Sequence, residues 1–220
     1  MRSTINLYEG DCLPAMRKMA DNQYDLAIVD PPYGINADLN QLKLANKRGF
    51  TKNAGTYKEY HKTNWDNKIP DDNYFTELFR VSANQIIWGG NYFHNLHLTG
   101  VIIWYKKGSG NFKEGEMSKT SFNAFKIFGY SRADAYINDC DINIHPTQKP
   151  VALYKWLLKN YAKEGDTILD THLGSGSIAI ACWDAGFDLT GYEIDKDYYN
   201  SAIKRFNNHK AQLQIKHNYS

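Results

Sequence analysis

Cysteine is scarce in this chain of 220 residues, with only Cys12, Cys140 and Cys182. An odd, widely scattered set builds neither a disulfide framework nor a thiolate metal site, so a reduced protein is expected. Histidine adds little: His94 and His97 stand three apart without a further ligand cluster, which points to a metal-free protein. No apolar run approaches the roughly 18 residues that span a bilayer. The opening "MRSTINLYEGD" lacks the apolar centre of a secretory signal. A cytoplasmic protein with no membrane partner is therefore expected. A strong bias of charge is missing too, since the net charge is only +2 and by itself selects no partner.

What is present suits one globular domain with a full-sized core, 42% hydrophobic and 23% charged. Tyrosine is abundant, at 16 residues, and such rings either fill a core or stack on something planar. Charge is unevenly placed. Residues 36–70 hold seven Lys/Arg against three Asp/Glu, and residues 106–132 hold six against two. These segments carry +8 between them, against +2 for the whole chain, so the remainder is acidic. They read either as solubilising loops or as a phosphate-facing surface on a catalytic body.

Strands and helices alternate along the chain. "INLY" is a short strand, followed by a helix from Asp11 with Leu13, Met16 and Met19 at helical spacing. Leu26 to Val29 is a buried strand. Residues 36–70 lack periodicity and read as a long loop. Asp71 or Asp72 caps a helix with Tyr74, Phe75, Leu78 and Phe79 on its apolar face. "QIIW" and "VIIW" are buried strands, and residues 106–144 are irregular apart from one strand near Phe125 to Phe128. Pro150 fits the first position of a helix presenting Val151, Tyr154, Leu157, Leu158 and Tyr161, which Gly165 ends. "TILD", a glycine turn with a helix, and "DLTGYE" follow. A last helix from about Lys196 carries Tyr199, Ala202, Ile203 and Phe206. The expectation is an α/β sandwich on a mainly parallel sheet.

Two stretches concentrate chemistry. In "LAIVDPPYGINAD", Asp30 stands where a core strand ends, and Pro31 and Pro32 fix the backbone beyond it before Tyr33. In "ILDTHLGSGSIAIA", a strand ends at Asp170, and Gly174 and Gly176 allow a ligand to approach the backbone before a helix begins. The next strand ends at Glu193, an acid placed to accept hydrogen bonds from a ribose diol. Gly174-x-Gly176-x-x-Ala179 alone also fits an NAD-dependent oxidoreductase. A catalytically silent nucleic-acid-binding module is the other alternative at this point.

"DPPY", "HPTQKP" and "D-x-x-x-G-S-G-S" followed by "GYE" together resemble the DNA amino-methyltransferases, which use S-adenosylmethionine to methylate exocyclic amines of DNA bases. The resemblance covers residues 5–34 and 145–206, and "WGGNYF" and "SKTSFNAFKIF" look like segments of compact phage-type members. It implies a Rossmann-like S-adenosylmethionine-dependent fold, a doubly wound sheet in the permuted, beta-class motif order, and one methyltransferase domain over residues 1–220. In that order the "GYEID" strand lies beside the first strand. The resemblance makes DNA the partner, with loops 36–70 and 106–144 as recognition insertions, and leaves monomer or homodimer open.

The resemblance also distributes roles. Asp11 and Cys12 match the segment that holds the cofactor adenine; Asp170, Leu173, Gly174, Ser175, Gly176 and Glu193 form its pocket. Lys149 would meet the methionine carboxylate, with Thr147 as a polar wall and Asp30 closing the same pocket. His172 departs from the bulky apolar residue common before the glycines. Asp30 and the Pro31 carbonyl would accept the amine protons, so that the nitrogen lone pair points at the sulfonium methyl. Tyr33 would stack on a flipped base. Lys43, Lys47, Arg48 and Lys52 would meet backbone phosphates. Asp at the head of "DPPY" favours adenine N6 over cytosine N4 within the resemblance.

Overall fold

The computed structural model describes residues 3–34, 69–94, 96–108, 114–139 and 148–218. Among these, one eight-stranded sheet runs β1 (Ile5–Glu9), β8 (Asp188–Glu193), β7 (Thr167–Asp170), β2 (Tyr24–Val29), β3 (Ser82–Trp88), β5 (Gly115–Thr120), β4 (Gly100–Tyr105), β6 (Phe125–Gly129). All neighbours are parallel except those of β5, which is antiparallel to both β3 and β4. The last strand pairs with the first in register, Glu9 beside Glu193, as the permuted order requires.

Helices cover both faces, and the period of two along each strand sorts its side chains between them. Leu26, Ile28, Ile86, Trp88 and Ile168 point to one face. There they meet α4 (Val151–Tyr161), α5 (Ser177–Ala185) and α6 (Lys196–Asn218). Ala27, Val29, Ile87 and Leu169 point to the other face, under α1 (Cys12–Met16) and α2 (Asp72–Val81). A sheet buried on both sides reads as continuous apolar runs, which is why "LAIV" and "QIIW" are legible. α3 (Arg132–Asp139) follows β6.

Several elements differ from the sequence expectation. α1 stops at Met16 instead of reaching Met19, because the Arg80 guanidinium takes the Met16 and Met19 carbonyls at 2.7 and 2.8 Å. Asp71 is the cap of α2, accepting from the Tyr74 amide at 3.1 Å. Pro150 is the extended cap residue ahead of α4 and not its first helical residue, and α4 ends at Tyr161, before Gly165. On α6 the expected Ala202 and Phe206 are buried, but Tyr198 is buried with them where Tyr199 was expected, and Ile203 is only partly buried.

The largest difference lies in residues 106–144, expected to be irregular but for one strand. They also supply α3 and β5, and β5 sits inside the sheet. "GEMSKT" carries no apolar alternation. Its buried hydroxyls bond neighbouring strands instead, Thr120 donating to the Gln85 carbonyl at 2.7 Å and Ser118 to that of Ile102 at 3.3 Å. A polar strand can be buried when each hydroxyl has such a partner. Residues 36–68 of the first basic loop lie outside the described residues.

Candidate active site

The carboxyl ends of β1, β8, β7 and β2 open onto a cavity of about 490 Å³, a size suited to a nucleoside-sized ligand. Its wall includes Asp11, Asp30, Lys149, Gly174 and Glu193. The parallel strands deliver three acids to one edge: Asp30 follows β2, Asp170 ends β7 and Glu193 ends β8.

Glu193 is anchored by backbone. Its Oε2 accepts from the Gly174 amide at 2.7 Å and its Oε1 from the Asp195 amide at 2.9 Å. Burial raises its carboxyl above the ordinary value, against these two bonds. The turn that brings Gly174 there closes at Gly176, the left-handed cap of α5 with φ of 72°. A Cβ on Gly176 would sit 3.1 Å from that of Ala202, so glycine serves both conformation and packing. Asp170 is buried and pushed up to about 8 by burial, then by Asp30 and Glu193, although it accepts from the His172 amide at 2.9 Å. His172 lines the cavity, and burial pushes it down to about 4, leaving a neutral ring. Its Nδ1 is 2.9 Å from the Thr171 hydroxyl, itself 2.6 Å from the Tyr74 hydroxyl.

Asp30 faces a different kind of neighbour. Its Oδ1 accepts from the Tyr33 hydroxyl and its Oδ2 from Lys149 Nζ. Lys149 is only 1% exposed, lies over the Trp88 ring at 5.2 Å, and reaches Glu116 Oε2 at 3.1 Å. Lys106 holds the other Glu116 oxygen at 2.5 Å. The result is an alternating row, Asp30–Lys149–Glu116–Lys106, of zero net charge. Burial would raise Glu116, but Lys149 and Lys106 outweigh it and hold its carboxyl down at about 2. Burial would lower Lys149, but Asp30 and Glu116 outweigh it, so the ammonium stays protonated. Burial raises Asp30 above its ordinary value; Lys149 opposes this and Glu116 adds to it.

The Tyr33 ring stacks on Tyr92 at 5.0 Å and 11°. It also lies directly against Gly89, whose φ is 69°. The residues before Asp30 therefore place the acid, and the turn after β3 places the tyrosine.

The N6/N4 DNA methylase family model matches residues 87–204, more than half of the chain. The chain belongs to this DNA methylase family. It is 21% identical to the type II methyltransferase M2.MboI of Moraxella bovis over 251 residues, spanning 92% of this chain and 87% of that protein. Its fold matches the M1.HpyAVI–SAM complex with a TM-score of 0.59 at 16% identity, over 92% of this chain and 100% of that one. It also matches the cytosine-N4-specific PvuII DNA methyltransferase, with a TM-score of 0.56 at 12% identity over 94% and 87% of the two chains.

In this DNA methylase, Asp11, Cys12, Asp30, Pro32, Lys149, Leu173, Gly174, Ser175 and Glu193 line the cavity. Asp170, Gly176 and Pro31 are buried and are not part of its lining. Asp11 is also the helix cap, accepting from the Leu13 amide at 2.9 Å. Cys12 is a neutral thiol, pushed up to about 12 by burial and then by Asp11. Thr147, Lys43, Lys47, Arg48 and Lys52 lie outside the described residues.

Lys149 lines the cavity with its ammonium already engaged. It donates to Asp30 and, at 3.4 Å, to the Tyr33 hydroxyl, and forms an ion pair with Glu116. A cofactor carboxylate would have to displace one of them. In the second basic segment Lys106 pairs with Glu116, and Lys107 with Asp134 at 3.3 Å.

Glu116, Lys106, Tyr92 and Tyr154 were not identifiable as site residues from the sequence. Glu116 sits in "KEGEMSK", which reads like a solvated charged loop. Among the described residues, no group of three His, Cys, Asp or Glu could hold a metal, and no helix is long and apolar enough to cross a membrane.

Proposed function

We propose that this protein methylates the exocyclic N6 amine of adenine in DNA, with S-adenosylmethionine as donor, acting on a base flipped out of the duplex. The observation that carries this reading is the meeting of Asp30 and Glu193 in one cavity at the carboxyl edge of the sheet. When bound, the cofactor supplies a sulfonium methyl to a nucleophilic nitrogen and leaves as a thioether. The donor set fits it: Glu193 retains acceptor lone pairs for a ribose diol, the Gly174 turn admits close approach, and Leu173 and Cys12 give apolar contact.

Asp30 accepts a hydrogen bond from one N–H of the target amine, and the Pro31 carbonyl accepts one from the other N–H. Together they turn the lone pair out of the ring plane and stabilise the positive charge that forms on nitrogen. Tyr33 supplies the stacking face and a neutral hydroxyl on Asp30, its phenol held protonated by burial and then by Asp30. Lys149 moves toward the cofactor carboxylate as the amine takes its place on Asp30. Lys43, Lys47, Arg48 and Lys52 neutralise phosphates of the duplex. One domain thus holds the donor and the base, and segments 36–70 and 106–144 provide the contacts that select a site.

Similarity to a cytosine-N4-specific enzyme supports a second reading, in which the amine is N4 of cytosine. Labelled-methyl transfer to unmethylated DNA, followed by nucleoside separation, tests both. Label in N6-methyladenine is expected. Label in N4-methylcytosine would replace the first reading by the second, and no incorporation would refute methyl transfer to DNA.

A further inference from the structure

Two carboxylates share one buried ammonium beside the reacting position. Lys149 bridges Asp30 and Glu116, and Lys106 holds Glu116 from the far side. Both ammoniums rest over indoles, Lys149 over Trp88 at 5.2 Å and Lys106 over Trp104 at 4.7 Å. β5 creates this arrangement: its antiparallel register sets Glu116 opposite Trp104 and Ser118 opposite Trp88. Neither Glu116 nor Lys106 lines the cavity. A buried ion row is a weak device for stability, because apolar residues of similar volume serve as well. A row that ends on Asp30 instead controls how much of the Lys149 charge Asp30 receives.

We propose that Glu116, set by Lys106, is a positioning residue that divides Lys149 between β5 and Asp30 and so keeps the Asp30 carboxylate free to accept the target amine. This rests on the reading of Asp30 as that acceptor. Without the Glu116 charge, Lys149 pairs with Asp30 alone and Asp30 becomes less basic. Without Lys106, Glu116 draws Lys149 toward β5, and Asp30 becomes more basic. The other titratable groups facing Asp30 stay in place in both cases: Tyr33, Tyr154 on α4, Asp170 on β7 and Tyr74 on α2. Tyr33 and Tyr154 also face Glu116.

The test is kcat for labelled-methyl transfer to unmethylated DNA of high sequence complexity, measured against pH with the full chain. Glu116→Gln should lower kcat by about tenfold, because an Asp30 paired with Lys149 alone is a weaker acceptor for the amine. KM for S-adenosylmethionine should stay within about twofold, and the acidic limb should move to lower pH. Lys106→Met keeps an apolar stem over Trp104 and should move the same limb to higher pH. Opposite shifts support the proposal, since loss of packing slows both variants without dividing their pH profiles. An unmoved limb, or shifts of one sign in both, overturns it. If Glu116→Gln does not fold, Lys106→Met alone decides: an upward limb supports the proposal and an unmoved limb overturns it. Asp30→Asn runs alongside. Sustained transfer in that variant removes the reading of Asp30, and the proposal with it. A silent Asp30→Asn with undivided limbs removes the proposal alone.

Discussion

Gly89→Ala tests how the aromatic side of the site is built. Gly89 has φ of 69°, a conformation that costs a residue with a Cβ about 1–2 kcal/mol. Its new Cβ would stand 2.1 Å from Tyr33 Cε1, 2.5 Å from Cδ1 and 2.7 Å from Cζ. Ordinary carbon contact is about 3.5 Å or more, so the ring must retreat by more than about 1 Å. It cannot do so and keep its stack on Tyr92, which is worth about 0.5–1.5 kcal/mol. Stability should therefore fall by about 1.5–3.5 kcal/mol, which moves the melting temperature down by roughly 3–14 °C for a chain of this size. The moving ring also takes its hydroxyl away from Asp30. Losing a hydrogen bond to a charged group, about 1.5–3 kcal/mol, should reduce kcat by roughly 10–150-fold. Cofactor affinity should hold within about twofold, because neither Gly89 nor Tyr33 lines the cavity. A double-mutant cycle isolates the clash. In a Tyr33→Ala background Gly89→Ala should cost only the backbone strain of about 1–2 kcal/mol. An equal cost in both backgrounds would refute the ring contact as the cause, and a cost below about 0.5 kcal/mol in the parent would refute the whole account.

Glu193→Ala should weaken S-adenosylmethionine binding by about 1–3 kcal/mol, and calorimetry showing unchanged affinity would defeat the ribose assignment. Asp170→Asn should flatten the dependence of stability on pH. Asp170 binds its proton more tightly folded, at about 8, than unfolded, so its contribution is complete below about 4 and is lost as pH rises through about 8. Melting curves from pH 4 to 9 should slope downward for the parent with rising pH and less so for the variant; identical slopes would show that Asp170 is not the group responsible. Neutralising Lys43, Lys47, Arg48 and Lys52 together should reduce DNA affinity and lower the salt slope by up to roughly 0.9 per lost phosphate contact. An unchanged slope would make the first basic segment a solubilising loop.

The strands flanking the site were determined by sequence because their burial is two-sided. A run such as Leu26 to Val29 or Ile86 to Trp88 has no solvent face to accommodate, and its apolar character alone marks it. The glycine turn was equally local, since Gly176 must take a left-handed cap that few other residues tolerate. Asp30 and Glu193 were readable as acids at strand ends, and a parallel sheet sends such ends to one edge. Tertiary structure alone decided the rest. β5 has no apolar period, and it becomes a central strand only because its hydroxyls find the carbonyls of β3 and β4. The buried face of α6 depends on which side meets the sheet, and tyrosines at both 198 and 199 left the period ambiguous by one residue. Lys149 and Asp30 are 119 positions apart, and Lys149 and Glu116 meet only once β5 lies between β3 and β4. Local periodicity records which face of an element is apolar. Which charge a buried lysine meets is set by strand pairing over long sequence distances, and no local pattern records it.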